Sequence, residues 1–170
     1  RGSLLHEIYC DFMTGLNQEG KQLRANLYRR LMMDIAESKL KRIRRKIPPP
    51  SESVYAKERK EIKESLKLFL RSETKKTACR PLLFGTAFGM SGDPEEVEPV
   101  RISAGGKTLL LRGIIDRIDQ IGENAYRVID YKTGGFSKYE NLQKFNEGKI
   151  LQHALYALAA IEIIRKRGWS

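Results

Sequence analysis

The chain has 170 residues, 41% of them hydrophobic and 31% charged, enough for one compact domain with a core of its own and too short for two of ordinary size. No apolar run approaches the length that crosses a bilayer and the N-terminus lacks the apolar core of a secretory signal, so a cytoplasmic protein without a membrane span is expected. The 32 basic residues outnumber the 21 acidic ones by 11, which points to polyanionic partners, although charge by itself does not separate nucleic acid from an anionic membrane surface.

The sequence opens at Arg1 without an initiator Met and enters a helical pattern within a few residues, as expected of a fragment of a larger protein; Arg1-Gly2-Ser3 also fits a tag remnant. From Leu4 to about Arg45, Leu5, Ile8, Phe12 and Leu16, then Leu23, Leu27, Leu31 and Ile35, recur at three and four, which predicts two helices broken between Gly15 and Gly20. The second ends in "KLKRIRRKIPPP", where prolines stop the helix after Lys39, Lys41, Arg42, Arg44, Arg45 and Lys46. Such a run is either a solvated helix face or a phosphate-binding surface. A further helix is predicted from Ser53 to Ser72, with Leu66, Phe69 and Leu70 near its end.

The segment "CRPLLFGTAFGMSGDPEEVEPV" reads as a strand followed by an acidic loop. Two strands follow, Lys107 to Ile121 and Ala125 to Tyr131, joined by a hairpin loop at Gly122-Glu123-Asn124. After a charged segment from Phe136 to Lys149 comes the helix "ILQHALYALAAIEIIRKRG", apolar almost all round, with Arg165, Lys166 and Arg167 at its C-terminal dipole and Gly168 as a stop. Cys10 and Cys79 form neither a disulfide framework nor a Cys-x-x-Cys pair, and read as ordinary reduced thiols.

The hairpin carries the chemistry. A loop centred on Glu123 pairs positions equidistant from it, which sets Asp116 across from Asp130. Cross-strand partners share a face with Cβ atoms about 4.5–5.5 Å apart, so these carboxylates crowd each other unless a cation lies between them. Lys132, two positions beyond Asp130, falls on the same face. Two carboxylates can hold a hard divalent ion with room for water and a phosphate oxygen, and an ammonium beside them can orient or stabilise an attacking hydroxide. A surface Asp–Lys ion pair, with Arg117 and Asp119 as further solvated charges, fits the same spacing.

"GIIDRID", then "VIDYKTG", then "LQHALYA" resemble the nuclease domain of the RecB/AddB helicase–nuclease family within the PD-(D/E)xK superfamily. The likeness runs from His6 in "GSLLHEI" to Tyr156, nearly the whole chain. It implies an α/β fold with a restriction-endonuclease-like core, a mixed central sheet bearing an active-site hairpin flanked by helices, in a single domain over residues 1–170 that belongs to a larger helicase–nuclease subunit. It implies that His6, Asp116 and Asp130 bind Mg²⁺, with Mn²⁺ able to substitute, and that the Tyr131 carbonyl is a further ligand. Lys132 would serve the attacking water, while Gln152 and Tyr156, one helical turn apart, would sit beside it and help position it or the DNA; Arg117 and Asp119 would be supporting residues.

The implied activity is a metal-dependent deoxyribonuclease, an exonuclease acting on single- or double-stranded DNA ends beside a helicase domain or subunit, in double-strand-break repair and recombination. A decayed, DNA-binding version of the site and an RNA-directed nuclease are the alternatives. The chain departs from the family pattern at Ile115, in the place of a proline, and at Gly85, where a Glu often precedes a Phe-Gly pair. Some relatives hold an iron–sulfur cluster with four cysteines; Cys10 and Cys79 do not match that arrangement, so no cluster is expected within this fragment.

Overall fold

Apolar residues spaced by three and four build three helices at the start of the chain: α1 (Gly2–Gln18), α2 (Ala25–Lys46) and α3 (Glu52–Glu73). The computed structural model describes residues 2–18, 25–75, 79–90, 98–132 and 151–169, and falls into two compact units, Arg1–Cys79 and Arg80–Ser170. In the first unit Leu5, Ile8, Phe12 and Leu16 of α1 are buried, as their spacing predicts. On α2 the buried stripe is Tyr28, Met32, Ala36 and Leu40, one residue round from the expected one, and Leu31 is 42% exposed. The reason lies further along the helix: continuing from Leu31 and Ile35 leads to Ser38, Lys39 and Arg42, whereas the adjacent stripe stays apolar to Leu40. Ile62, Leu66, Phe69 and Leu70 of α3 complete the buried set, and Tyr9 stacks on Phe69 with ring centroids 4.1 Å apart.

Gly15 lies inside α1, so the break between the first two helices comes later than that residue; residues 19–24, Gly20 among them, lie outside the described ones. Ser51, directly after the prolines, caps α3 by accepting the Val54 N–H at 3.3 Å. Part of the basic run is tied down within the unit. Lys39 pairs with Asp11 at 2.6 Å and with Glu7 at 3.3 Å, Arg42 reaches Glu7 at 3.1 Å, and Arg44 pairs with Glu52 while lying 4.6 Å from the Tyr55 ring centroid. Lys41, Arg45 and Lys46 remain exposed.

The second unit contains β1 (Arg80–Phe88), β2 (Val100–Ala104), β3 (Lys107–Leu111), β4 (Gly113–Gly122), β5 (Ala125–Ile129) and α4 (Gln152–Lys166). β1, β4 and β5 form a three-stranded sheet with β4 in the centre, and β2 and β3 form a separate two-stranded one. All pairings among the described strands are antiparallel, where a mixed sheet was expected.

The stretch expected as one strand from Lys107 to Ile121 is two, parted at Arg112. Gly105 and Gly106, with φ of 58° and 73°, supply the turn that folds β3 back on the unanticipated β2. The chain then changes sheets beside Gly89, where a Cβ would stand 2.9 Å from that of Arg112. Only a residue without a side chain lets the two segments pass so closely.

The core of this unit joins Leu83, Phe88, Val100, Ile115 and Ile118 to Ala159, Ala160, Ile163 and Ile164 of α4. Leu158 and Ile161 are 43% and 50% exposed, so α4 is buried along one side and not all round. It ends as expected at Gly168, whose N–H donates to the Arg165 carbonyl at 3.0 Å while the Trp169 N–H donates to the Ile164 carbonyl at 3.2 Å. Among the described residues no helix is long and apolar enough to cross a membrane. The charged segment from Phe136 to Lys149 lies outside them.

Candidate active site

The site is built on β4, the central strand, which is paired on both sides and therefore held at fixed depth in the sheet. Against β5 it aligns Arg117 with Ile129, Ile118 with Val128, Asp119 with Arg127 and Gln120 with Tyr126, the register expected from a loop centred on Glu123. An irregularity between Gln120 and Gly122 then brings Gly122 opposite Ala125, so Glu123 and Asn124 alone make the turn. One further step in the other direction would pair Asp116 with Asp130, but β5 ends at Ile129. Beyond that point the chain departs from the ladder, and the Tyr131 N–H donates to Asp116 Oδ2 at 2.7 Å. The first acid thus meets the backbone amide directly after the second.

On its other side β4 pairs with β1, Phe84 opposite Arg117 and Thr86 opposite Ile115. Between those two steps lies Gly85, with φ of 57°, so the position beside Asp116 on that flank has no side chain.

Asp130 has a side chain 13% exposed, and its Oδ2 makes an ion pair with Lys132 Nζ. That oxygen is buried. Lys132 Nζ donates to Gln152 Oε1 at 3.0 Å, which places the ammonium between the second acid and the first residue of α4. Tyr156, one turn on, packs edge-on against Phe88 with centroids 6.3 Å apart. Its hydroxyl would be 3.5 Å from a Cβ at Gly113, and the Phe88 ring 3.2 Å, which explains why the strand leading to Asp116 starts with glycine.

The opposite face of the hairpin holds a second set of charges. Arg117 and Asp119 are 1% and 0% exposed, and are not the solvated charges that spacing alone allowed. Asp119 receives Arg117 through both Nε and Nη2, the latter at 3.0 Å, and Arg127 Nη2 at 3.1 Å. Arg117 Nη1 also donates to the Tyr131 hydroxyl at 3.3 Å. Arg127 and the Tyr131 ring did not stand out in the sequence. The available signal was the alternation of Arg117, Asp119, Arg127 and Tyr131 on one face of two paired strands.

Asp116, Asp130, Tyr131, Lys132, Gln152 and Tyr156 are thus gathered within the second unit, while His6 lies half-buried on α1 of the first. Among the described residues no three or more His, Cys, Asp or Glu side chains assemble a ready metal cage. The donors of the second unit nonetheless suit a hard divalent ion, which can be held by one or two carboxylates while keeping several waters; Asp116 and the buried, Lys132-paired Asp130 supply two. A cavity of about 280 Å³ lined by Arg80, Leu82, Gln120, Tyr126 and Trp169 lies toward the hairpin turn and includes none of these residues.

Residues 1–168 match the family model described as PD-(D/E)XK nuclease superfamily. The chain is 28% identical over 168 residues to a protein of Clostridium perfringens named as a subunit of an ATP-dependent helicase/deoxyribonuclease, covering 94% of this chain and 14% of that protein. It is 40% identical over 90 residues to the protein of the same name from Symbiobacterium thermophilum, covering 49% of this chain and 7% of that one. The chain therefore spans about a seventh of the length of the C. perfringens relative, or less in the second case.

Proposed function

The chain belongs to the PD-(D/E)XK nuclease superfamily, and from that premise we propose that it hydrolyses DNA phosphodiester bonds with a divalent ion, Mg²⁺ or in its place Mn²⁺, held by Asp116 and Asp130. The observation that carries this reading is the buried Asp130 carboxylate ion-paired with Lys132, with the amide of the next residue, Tyr131, donating to the Asp116 carboxylate at 2.7 Å. The Tyr131 carbonyl belongs to the same short stretch and completes the donor set. His6 enters as a further donor on the Gly…His-Glu motif alone. When bound, the ion lowers the pKa of a water ligand and offsets charge that builds on the phosphoryl oxygens.

The protein groups do the orienting. Asp130 and Gln152 hold the Lys132 ammonium from two sides, so that it can donate to an attacking hydroxide without swinging away. Gln152 is a positioning residue, since its amide oxygen meets Lys132. Tyr156 lies one turn along α4, where its ring packs on Phe88 and its hydroxyl lies near Gly113 at the head of β4. The restriction-endonuclease-like core supplies the frame, with β4 carrying the first acid and α4 the group that steadies the lysine. Alignment with proteins named helicase/deoxyribonuclease supports reading the chain as the nuclease portion of a longer helicase–nuclease subunit. Its substrate would be a DNA end, cut exonucleolytically during double-strand-break repair and recombination.

The test is incubation of the chain with linear single- and double-stranded DNA, and with RNA, in Mg²⁺, in Mn²⁺ and in chelator. Metal-dependent DNA loss is expected, with Asp130→Ala and Lys132→Ala each lowering the rate at least about a hundredfold. DNA binding without metal-dependent cleavage would overturn the nuclease reading in favour of a binding module, and a preference for RNA would change the substrate.

A further inference from the structure

We propose that Tyr131, braced from the opposite face of the sheet by Arg117, is a positioning residue that holds Asp116 in its metal-binding orientation. The inference rests on the metal-site reading above and adds residues that act on it from behind. Asp119, fully buried, anchors Arg117 through Nε and Nη2, and Arg127 Nη2 joins at 3.1 Å. The Phe84 ring lies 5.9 Å from the Arg117 guanidinium carbon. The guanidinium is thereby fixed, and its Nη1 donates to the Tyr131 hydroxyl at 3.3 Å. The backbone N–H of the same tyrosine donates to Asp116 Oδ2 at 2.7 Å. One residue thus ties the buried charges on one face to the first acid on the other.

Stability alone does not account for this link. A buried ion pair stabilises a fold weakly, because desolvation of both charges offsets their attraction. The chain beyond Ile129, in contrast, has left the ladder, so strand pairing no longer sets where Tyr131 lies. The Arg117–hydroxyl bond replaces that restraint and aims the amide at Asp116. Partners of this kind, one shell behind a metal ligand, typically change metal affinity about 10–100-fold when removed.

The experiment measures Mn²⁺ binding by electron paramagnetic resonance, together with hydrogen exchange of the amide at position 131 in the metal-free chain. Wild type is compared with Tyr131→Phe, which removes the hydroxyl alone, with Arg117→Lys, which keeps the charge but loses the fork, and with Asp116→Ala. Tyr131→Phe is expected to raise the Mn²⁺ Kd about tenfold, to speed exchange at that amide, and to raise the Mn²⁺ needed for half-maximal cleavage while KM for DNA is unchanged. Arg117→Lys is expected to shift Kd the same way. If Asp116→Ala abolishes Mn²⁺ binding but Tyr131→Phe alters neither Kd nor exchange, the positioning role is overturned and the metal site stands. If Asp116→Ala itself leaves Mn²⁺ binding intact, the metal-site reading falls and this inference falls with it.

Discussion

At the scale of single residues, the charged groups of the hairpin divide by the face on which they lie. Asp119 and Arg117 are almost wholly buried, whereas the Lys132 side chain is 34% exposed. Removing one member of a buried pair strands its partner, so Asp119→Ala should destabilise the chain by about 3–5 kcal/mol in chemical denaturation. Lys132→Met removes a partly exposed ammonium but leaves the buried Asp130 oxygen without its ion partner, so it should cost about 1–3 kcal/mol and abolish cleavage. Gln152→Ala leaves the lysine paired to Asp130 but frees it on the helix side; kcat should fall about tenfold with DNA affinity retained.

At the scale of elements, the glycines and caps explain how strands and helices meet. Gly113→Ala would push a methyl to 3.2 Å from the Phe88 ring and 3.5 Å from the Tyr156 hydroxyl, at the place where β4 and α4 converge on the site. A loss of about 1–3 kcal/mol is expected, with a larger fall in cleavage than in DNA binding. In the helical unit, Ser51→Ala removes the cap of α3 and should lower stability by about 1 kcal/mol. Where α1 packs on α3, burial raises the Tyr9 hydroxyl to about 12 from its ordinary value of 10.0. Its folded pKa is above its unfolded one, so its contribution is fully present below about 10 and is lost as pH rises toward 12. Stability of wild type should therefore fall across that window, and Tyr9→Phe should flatten the fall in a denaturation series at alkaline pH.

At the scale of the whole molecule, an excess of 11 basic residues predicts DNA affinity that drops steeply with salt. Lys41, Arg45 and Lys46 are exposed, while Lys39, Arg42 and Arg44 are engaged with acids of their own unit. Replacing the exposed three by Gln should lower the slope of log Kd against log salt by roughly one for each phosphate no longer neutralised. An unchanged slope would identify that end of α2 as a solvated face.

Much of this was legible in the residues. Periodicity located the four helices of the described residues, because burial of an apolar stripe is a local requirement, and "IGENA" set the register of the hairpin as far as Arg117 and Ile129. Asp116, Asp130, Lys132 and Gln152 could be singled out because ordered motifs keep their spacing wherever the chain travels. Tertiary structure decided what depends on approach between distant segments. It chose Tyr28, Met32, Ala36 and Leu40 over the neighbouring stripe, parted β3 from β4 where Gly89 meets Arg112, and left Asp130 outside the ladder. It also buried Arg117 and Asp119, whose charges no local rule places inside. Spacing states which groups share a face; only packing determines which of them lose water, and for carboxylates that loss separates a solvated surface from a site that calls for a cation.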